Sequence, residues 1–350
     1  MAKPSPKRAV LIGTGMVART HLAACEAACE KVALAGVFSR NQATAQALIA
    51  DAQSRLGAEI QLYDSIEDVA ADDSVDFAII LTPPNARAEI IAPLAAAGKH
   101  ILLEKPVARD GGEAREVVSI CQQAGVRLGV VLQHRMRAAS RQAAQMIATD
   151  IFGPLGLVEI KVPWWREQSY YDVAGRGSYA RDGGGVLISQ AIHTIDLALS
   201  LAGPVQSLRA MAVTSRFHQM EAEDFVVAGL EFTCGAVGSL TASTASFPGA
   251  PETITLHFDL ASLHLEAGQL RVSWRDGRVE TFGEEAGTGG GADPMAFTSD
   301  WHQAILEDFA DAISEDRAPL VTGEAALAAH DLIDAITRAA RSGRSEQVAA

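Results

Sequence analysis

The sequence predicts an α/β fold with two domains: a doubly wound parallel sheet in residues 1–132, and an α+β domain with a large, mainly antiparallel open sheet in residues 133–350. Three observations carry this prediction. Short apolar runs alternate with helical patterns in the first part, as in parallel sheets. Period-two alternation replaces that rhythm in the second part. The length of 350 residues fits two domains of roughly 100–200 residues each.

The composition is that of a globular protein with a small-molecule partner. Hydrophobic residues make up 48% of the chain, charged residues make up 21%, and the net charge is −14. Phosphate backbones are bound by clustered Lys and Arg, so no nucleic-acid partner is expected for this acidic chain. No apolar run of 18 residues stands out, so the sequence predicts no contact with a membrane.

The cysteines indicate a reducing compartment. The four cysteines, which fall in predicted helices or strands without a Cys-x-x-Cys pair, are Cys25, Cys29, Cys121 and Cys234. We therefore expect buried, reduced thiols and, with no secretory signal at the basic N-terminus, a cytoplasmic location. Cys25 and Cys29 share one helical face, but no other soft ligands lie near them in sequence, so no metal site is expected.

The first predicted strand, residues 8–12, leads into a glycine-rich turn. Strand, Gly-x-Gly-x-x-Ala and helix together form the dinucleotide-binding fingerprint. Gly13 permits the tight turn, Gly15 lets a pyrophosphate approach the backbone, and Ala18 lets helix and strand pack closely. The residues predicted to hold the cofactor here are Gly13, Thr14, Gly15, Met16 and Val17.

The end of the second strand, Val32 to Phe38, bears on the choice between NAD and NADP. NAD-binding proteins carry an acid at this place, whereas this chain has Ser39 and Arg40. A hydroxyl followed by a guanidinium can hold a 2′-phosphate, which a carboxylate would repel. The sequence therefore slightly favours NADP, bound by Ser39 and Arg40. If Arg40 is only a solvated charge at a helix start, the preference stays open.

Further strands and helices continue the alternation. Strands are predicted at residues 60–63, 76–81, 101–104 and 127–132, and helices at residues 42–55, 65–70, 85–97 and 110–124. The turn after the 76–81 strand has two interpretations. Thr82, Pro83 and Asn85 line the nicotinamide side of the cofactor site, or the turn is a plain helix start with proline in its first turn.

The strand at residues 101–104 runs into Glu104-Lys105-Pro106. Open α/β sheets bind ligands at the carboxyl ends of their strands. We therefore expect Lys105 to contact both cofactor and substrate, with Glu104 as a further cofactor contact. The alternative is that Glu104 and Lys105 are ordinary strand-end charges.

Beyond residue 133, a helix at 138–149 and a strand at 157–162 lead to Trp164, Trp165, Arg166 and a polar stretch at 167–182. Aromatic and arginine side chains suit the wall of a polar-ligand pocket, and they equally suit a loop packed on a sheet. In the first interpretation Arg166 and Tyr170 orient the substrate.

Three glycines, Gly183 to Gly185, precede a helix predicted over residues 186–197. Ser189 and His193 are four residues apart and share a helical face. Hydride transfer between an alcohol carbon and a nicotinamide needs a group that takes the hydroxyl proton, and histidine suits this near neutral pH. We predict that His193 is catalytic and that Asp196 is structural. A histidine satisfied within the core is the alternative.

From residue 205 to residue 282 the chain alternates at period two, and the C-terminal part is helical. The predicted strands are 225–232, 236–242, 253–258, 263–265 and 270–274, and the predicted helices are 300–313 and 323–341. One sheet face should pack on helices, and the other is left for solvent or a second subunit. We therefore expect a homodimer or homotetramer formed through this sheet. Gly287 to Gly291 is predicted to be a flexible loop.

Several of these motifs together resemble the glucose-fructose oxidoreductase/inositol dehydrogenase (Gfo/Idh/MocA) family. They are residues 13–18, Glu104-Lys105-Pro106, residues 183–185 with 193–196, and the ending from Asp308 through Pro319. The resemblance spans nearly the whole chain. It implies an NAD(P)-binding Rossmann domain and an α/β domain with an open sheet. It also implies that Lys105 and His193 correspond to the family's active-site lysine and histidine.

One position departs from the family pattern. Many members carry an aspartate four residues before the histidine, where this chain has Ser189. Serine cannot relay a proton as a carboxylate does, so Ser189 is assigned substrate hydrogen bonding. Proton transfer is left to His193 with Lys105.

The expected activity is that of an NAD(P)-dependent dehydrogenase or reductase acting on CH–OH groups. The resemblance implies that the substrate is a secondary alcohol on a sugar, a cyclitol or a sugar derivative. Two alternatives remain at this point: redox-neutral glycoside cleavage with a tightly held NAD, and a non-catalytic NAD(P)-binding regulatory protein.

Overall fold

The computed structural model describes residues 5–284 and 298–349, and the predicted loop Gly287 to Gly291 lies outside them. The chain divides into two compact units. The first comprises Met1–Ala108, Gly112–Gln133 and Ser299–Leu327. The second comprises Arg109–Gly111, His134–Thr298 and Ala328–Ala350.

The first unit is built on a parallel sheet. Its strands are β1 (Lys7–Ile12), β2 (Val32–Phe38), β3 (Gln61–Tyr63), β4 (Phe77–Ile80), β5 (His100–Glu104) and β6 (Leu128–Val131). The strand order is β3-β2-β1-β4-β5-β6, and every neighbouring pair is parallel. The order reverses between β1 and β4, where open α/β sheets bind their ligands. The predicted Rossmann sheet is confirmed.

Five helices follow the strands of this sheet: α1 (Ala18–Ala27), α2 (Gln42–Leu56), α3 (Ile66–Ala71), α4 (Arg87–Ala96) and α5 (Gly111–Gln123). Asn41 caps α2 by accepting the Thr44 N–H at 3.2 Å. The helix predicted over 85–97 is instead a 3₁₀ turn, Pro84–Ala86, followed by α4. Pro84 begins this turn, where its missing N–H leaves no helical hydrogen bond unmade.

The second unit holds a nine-stranded sheet. Eight of its strands are β7 (Leu155–Pro163), β8 (Val205–Val213), β9 (Phe225–Phe232), β10 (Val237–Ser243), β11 (Thr253–Phe258), β12 (Ala261–Glu266), β13 (Gln269–Trp274) and β14 (Val279–Phe282). All pairs are antiparallel except β7 with β10. The predicted large, mainly antiparallel sheet is therefore confirmed.

Four helices accompany these strands: α6 (Ala138–Ala148), α7 (Gln168–Tyr171), α8 (Tyr179–Asp182) and α9 (Ile192–Ala202). Burial alternates along β9, where Val226, Ala228 and Leu230 are buried and Val227 is exposed. One sheet face is thus core and the other is open within this unit.

The C-terminal segment contributes α10 (Asp300–Ser314), α11 (Gly323–Ser342) and the short β15 (Glu346–Gln347). Helix α10 packs against α1, and the Phe309 ring lies 5.4 Å from the Phe77 ring. Residues 299–327 therefore lie in the first unit, although the sequence predicted one break near Gln133. Strand β15 pairs with β8 and was not predicted, because two residues carry no alternation.

Two expectations need correction. The first is that the sequence shows no apolar stretch long enough to span a membrane. The helical stretch Tyr179–Ala202 has the length and hydropathy of such a span, although polar residues interrupt its apolar ones. However, 83% of the most apolar part of this stretch is buried inside the protein, as in a core helix.

The second expectation is that the cysteines are buried. The cysteines are free, but Cys29 and Cys234 are exposed because they lie in turns after α1 and β9.

Candidate active site

The fingerprint turn packs tightly on one side and is open on the other. Gly13 has φ +105°, and a Cβ there would lie 3.3 Å from the Leu81 and Thr82 backbone. A Cβ at Gly15 would meet nothing within 4 Å among the described residues. Met16 beside it is 48% exposed, and Val17 is half-buried. The turn therefore leaves room for a ligand at Gly15, while the close approach at Gly13 packs the turn against the end of β4.

The polar side chains at the end of β2 gather at this turn. The Thr14 hydroxyl lies 3.0 Å from the Ser39 hydroxyl and 2.6 Å from the Thr44 hydroxyl. The Gly13 N–H donates to the Phe38 carbonyl at 2.8 Å. Arg40 is exposed next to this cluster in sequence. Thr44 was not predicted as part of the site, although its place in the first turn of α2 could have indicated it.

The end of β4 carries a buried hydroxyl that suits a ligand. Thr82 Oγ1 has no hydrogen-bond partner among residues 5–284 and 298–349. Pro83 is half-buried and Asn85 is exposed on the same turn. A buried hydroxyl without a protein partner and an open Gly15 both fit a dinucleotide cofactor. The group itself would be held by the backbone at residues 13–17, by Ser39 and by this turn.

The sequence predicted that Glu104, at the end of β5, contacts the cofactor. In the structure its carboxylate is instead bound by groups of the protein itself. Glu104 is 5% exposed, and its Oε1 lies 2.8 Å from His21 Nε2. Its Oε2 accepts the Lys105 N–H at 3.1 Å. His302 of α10 completes the cluster, with its Nε2 3.7 Å from Oε1.

The charge state of this cluster follows from its burial and hydrogen bonds. Burial alone would raise the pKa of Glu104, but the hydrogen bond from His21 and the nearby His302 ring outweigh it and hold that pKa well below its usual range. Burial lowers the pKa of His21. His21 Nε2 therefore donates to an ionised Glu104 carboxylate. Sequence reasoning missed this group, because its members lie on three elements far apart in the chain.

In the second unit, close backbone approaches explain the three glycines. A Cβ at Gly183 would overlap the Arg109 backbone, and one at Gly185 would overlap the Glu223 backbone. The Glu223 carboxylate accepts the N–H groups of Gly185 at 3.1 Å and Leu187 at 3.2 Å. The helix bearing Ser189 and His193 is thus anchored at its start by a glutamate from a distant loop.

That helix begins differently from the prediction. Leu187–Ala191 forms a π-helical turn before α9. Ser189 lies in the π turn and is partly buried, whereas His193 lies in the first turn of α9 and is 6% exposed. The wider π turn alters the α-helical spacing from which a shared face was inferred.

His193 stacks on another histidine that sequence reasoning missed. The rings of His134 and His193 lie 5.0 Å apart at 28°. Arg137 Nη2 lies 2.6 Å from His134 Nε2, and Arg137 Nη1 donates to Glu252 Oε1 at 2.7 Å. Because a guanidinium only donates, His134 Nε2 accepts, and the ring is neutral with its proton on Nδ1.

The polar stretch at 167–182 folds as the short helices α7 and α8, and it brings two predicted substrate residues together. The Arg166 guanidinium lies 5.8 Å from the Tyr170 ring centre, and its Nη1 donates to the Trp165 carbonyl at 2.7 Å. Gln190 of the π turn donates to the Tyr170 hydroxyl at 3.4 Å. Tyr170 thus connects this stretch to the helix that carries His193.

Asp196 has the structural contacts expected of it. It is 1% exposed and binds Arg135 through two hydrogen bonds, at 2.7 and 2.5 Å. Burial raises the pKa of Asp196, and the pairing with Arg135 opposes that shift. The 3₁₀ turn Gln133–Met136 therefore holds α9 through both His134 and Arg135.

Removing the Glu223 carboxylate should destabilise the second unit. Glu223→Ala leaves the buried N–H groups of Gly185 and Leu187 without their acceptor, and each such group costs about 1–3 kcal/mol. We expect the free energy of unfolding in urea to fall by about 2–4 kcal/mol. Glu266→Ala, at a half-exposed carboxylate on β12, is the control and should change it by less than about 0.5 kcal/mol. A Glu223→Ala protein as stable as the wild type would contradict the anchoring role.

Comparison with known proteins agrees with this geometry. Residues 7–132 match the oxidoreductase family with an NAD-binding Rossmann fold (GFO/IDH/MocA), and residues 140–264 match the GFO/IDH/MocA C-terminal domain. D-xylose 1-dehydrogenase (NADP(+)) 2 of Haloferax volcanii is 27% identical over 90% of this chain and 91% of its own length. Inositol 2-dehydrogenase of Rhizobium meliloti is 30% identical over 58% of each chain.

A solved structure is similar over the full length. The WlbA dehydrogenase from Bordetella pertussis, in complex with NADH and UDP-GlcNAcA, has a TM-score of 0.82 at 27% identity and covers 100% of both chains. The chain spans about half the length of several curated relatives that it matches. The two matched domains and the full-length fold lead to one conclusion. The chain belongs to the GFO/IDH/MocA family of NAD(P)-dependent oxidoreductases.

Proposed function

We propose that the protein exchanges a hydride between NADP(H) or NAD(H) and a secondary alcohol on a sugar, cyclitol or sugar derivative. The supporting observation is the place of Lys105. It follows β5 directly, and β5 pairs with β4, whose carboxyl end packs on the fingerprint turn. The end of β5 lies next to the end of β4, which borders the switch point, so Lys105 begins one strand away from the crevice where such sheets bind ligands.

The nicotinamide, when bound, exchanges the hydride with the carbon that bears the reacting hydroxyl. Lys105 donates a hydrogen bond to that oxygen and stabilises the negative charge that develops on it. His193 takes the hydroxyl proton during oxidation and returns it during reduction. Its neighbour His134 accepts from Arg137, so His193 would not stack on a positively charged ring when it holds the proton. Arg166, Tyr170 and Ser189 orient the ring of the substrate.

We also propose a preference for NADP. Ser39 is fixed beside the fingerprint turn through Thr14, and the exposed Arg40 follows it. A hydroxyl and a guanidinium together suit a 2′-phosphate. Among the relatives, the Haloferax xylose dehydrogenase is NADP-linked, whereas the WlbA complex contains NADH.

Arg40→Ala tests this preference. Loss of a charge-assisted hydrogen bond to the phosphate costs about 1.5–3 kcal/mol, so the KM for NADP should rise by about 10- to 100-fold. The KM for NAD, which has no such phosphate, should stay within about threefold. Steady-state kinetics with both cofactors measures the two values. An equal change for both cofactors would contradict the assignment of Arg40.

A substrate panel tests the activity itself. Sugars, cyclitols and uronates are assayed separately with NAD and NADP, following the absorbance of the reduced nicotinamide. We expect sustained reduction of cofactor with at least one polyol. Consumption of a glycoside without net reduction would instead indicate redox-neutral cleavage. Cofactor binding without turnover on any substrate would indicate a regulatory protein.

We further propose that the open face of the nine-stranded sheet joins two or four copies of the chain. Met211, Val213, Val227 and Val237 lie on β8, β9 and β10, and they are between 38% and 53% exposed. Exposed apolar side chains grouped on one sheet face are typical of an interface. Light scattering of the purified protein measures the mass, and a monomer of 36.8 kDa would contradict this assembly.

A further inference from the structure

We infer that Glu104 and Arg87 are positioning residues that fix the main chain of Lys105 from both sides. The main role of these two residues is not to act on the substrate. Each holds the peptide group from which the Lys105 side chain extends. The inference rests on the proposed function of Lys105, and the experiment below separates the two.

Glu104 holds the amide side of Lys105. Its Oε2 accepts the Lys105 N–H at 3.1 Å, while Oε1 lies 2.8 Å from His21 Nε2. The carboxylate is buried, so it exchanges no hydrogen bonds with bulk water. His21 on α1 and His302 on α10 therefore set the position of a carboxylate that in turn sets the position of the lysine peptide.

Arg87 holds the carbonyl side. It is 3% exposed, and its Nη2 lies 3.5 Å from the Lys105 carbonyl oxygen. Its Nε and Nη2 also donate to the Thr82 carbonyl at 3.1 and 2.9 Å. One guanidinium thus joins the end of β4, at the proposed nicotinamide turn, to the end of β5. Burial lowers the pKa of Arg87 to about 9, so the guanidinium keeps its charge at neutral pH.

His21, Glu104 and His302 are also side chains that can bind a metal ion, and their ligand atoms lie within 4.8 Å of one another. The 2.8 Å separation of His21 Nε2 from Glu104 Oε1 is that of a direct hydrogen bond. The two imidazole rings meet edge to face, 5.1 Å apart at 84°. We therefore assign this group as a hydrogen-bonded support for Glu104.

Such support matters because lysine is long and flexible. Its ammonium can be held near a reacting oxygen only if the backbone at its base is fixed. A misplacement of about 1 Å at a catalytic group can cost about 100-fold in rate. Loosening either end of the Lys105 peptide should therefore lower kcat more than it changes cofactor binding.

Lys99 provides a matched control. It is 5% exposed and donates to the carbonyls of Asp72 at 2.7 Å and Val75 at 3.1 Å. It is, like Arg87, a buried cation that holds two carbonyls, but it lies at the opposite end of β5. Lys99→Met therefore reports the stability cost of losing such a cation without disturbing Lys105.

The experiment compares Arg87→Met, Arg87→Lys, Glu104→Gln, Lys99→Met and Lys105→Met. For each, kcat is expressed per mole of bound NADP, which corrects for unfolded protein, and Tm is measured. Arg87→Met and Glu104→Gln should lower kcat by about 100-fold. Cofactor Kd should change by less than about threefold in Glu104→Gln. In Arg87→Met it should change less than kcat does, because that guanidinium also holds the Thr82 carbonyl, and Arg87→Lys should recover part of the loss. Lys99→Met should lower Tm and leave kcat within about threefold.

Each contrary result has one meaning. If Lys105→Met loses turnover but Arg87→Met and Glu104→Gln keep it, the positioning role falls and the proposed function stands. If Lys99→Met loses kcat as they do, the effect is structural and the positioning role falls. If Lys105→Met keeps full turnover, the proposed function falls. A stoichiometric metal ion in the purified protein, lost in Glu104→Gln, would overturn the assignment of the histidine cluster.

Discussion

Lys105→Met should lower kcat by about 1,000-fold, because an interaction with developing negative charge contributes most in the transition state. Methionine keeps an unbranched apolar stem like that of lysine but removes the ammonium. Binding of NADP, which the fingerprint turn, Ser39 and Arg40 are proposed to support, should change by less than about threefold. Steady-state kinetics and cofactor titration by fluorescence measure the two effects separately.

The control for this variant is Lys161→Met. Lys161 lies on β7, its side chain is 58% exposed, and its Nζ lies 3.6 Å from Glu159 Oε1. Removing this lysine should leave kcat and cofactor affinity within about threefold of the wild type. If Lys105→Met behaves like Lys161→Met, then Lys105 takes no part in the chemistry.

His193→Gly should lower kcat by about 100- to 10,000-fold, the usual range for loss of a general acid or base. Because glycine has no side chain, this substitution also leaves space beside the His134 ring for a free imidazole. We therefore expect added imidazole to restore part of the activity in a saturable way, because it replaces the missing proton acceptor. Rates measured across imidazole concentrations at constant pH test this.

His264→Gly serves as the matched control. His264 lies on β12, its side chain is 39% exposed, and its Nδ1 lies 2.8 Å from the Thr255 hydroxyl. Neither its removal nor added imidazole should alter kcat by more than about threefold. Activity of His193→Gly that stays low at every imidazole concentration would favour a packing role for this ring.

The sequence was sufficient for the parts of the fold that local patterns determine. The Gly13 turn, the apolar strand before Glu104 and the alternation of β9 and β11 all lie where they were predicted. Each depends on neighbours within a few residues, since strand periodicity and turn glycines are local properties. The π turn at Leu187–Ala191 could not be predicted, because the apolar pattern of these residues is also that of an α-helix and does not indicate a wider turn.

The supports of the candidate site were beyond the sequence for a different reason. His134 is recognisable only through its stacking on His193, and Glu223 only through its bonds to the turn at Gly185. Both contacts join residues that the chain separates by several elements. Such contacts depend on tertiary packing, which hydrophobic periodicity does not specify. Lys105 and His193, by contrast, follow recognisable motifs, and their catalytic roles remain predictions.

The most direct test of the central claim is a double-mutant cycle on kcat with Lys105→Met and His193→Asn. If both residues serve the same proton and alkoxide step, removing the second should add little to the loss caused by the first. We predict that the double variant will be within about tenfold of the slower single variant. Losses that multiply would mean that the two residues act independently, and that result would contradict a shared role in one chemical step.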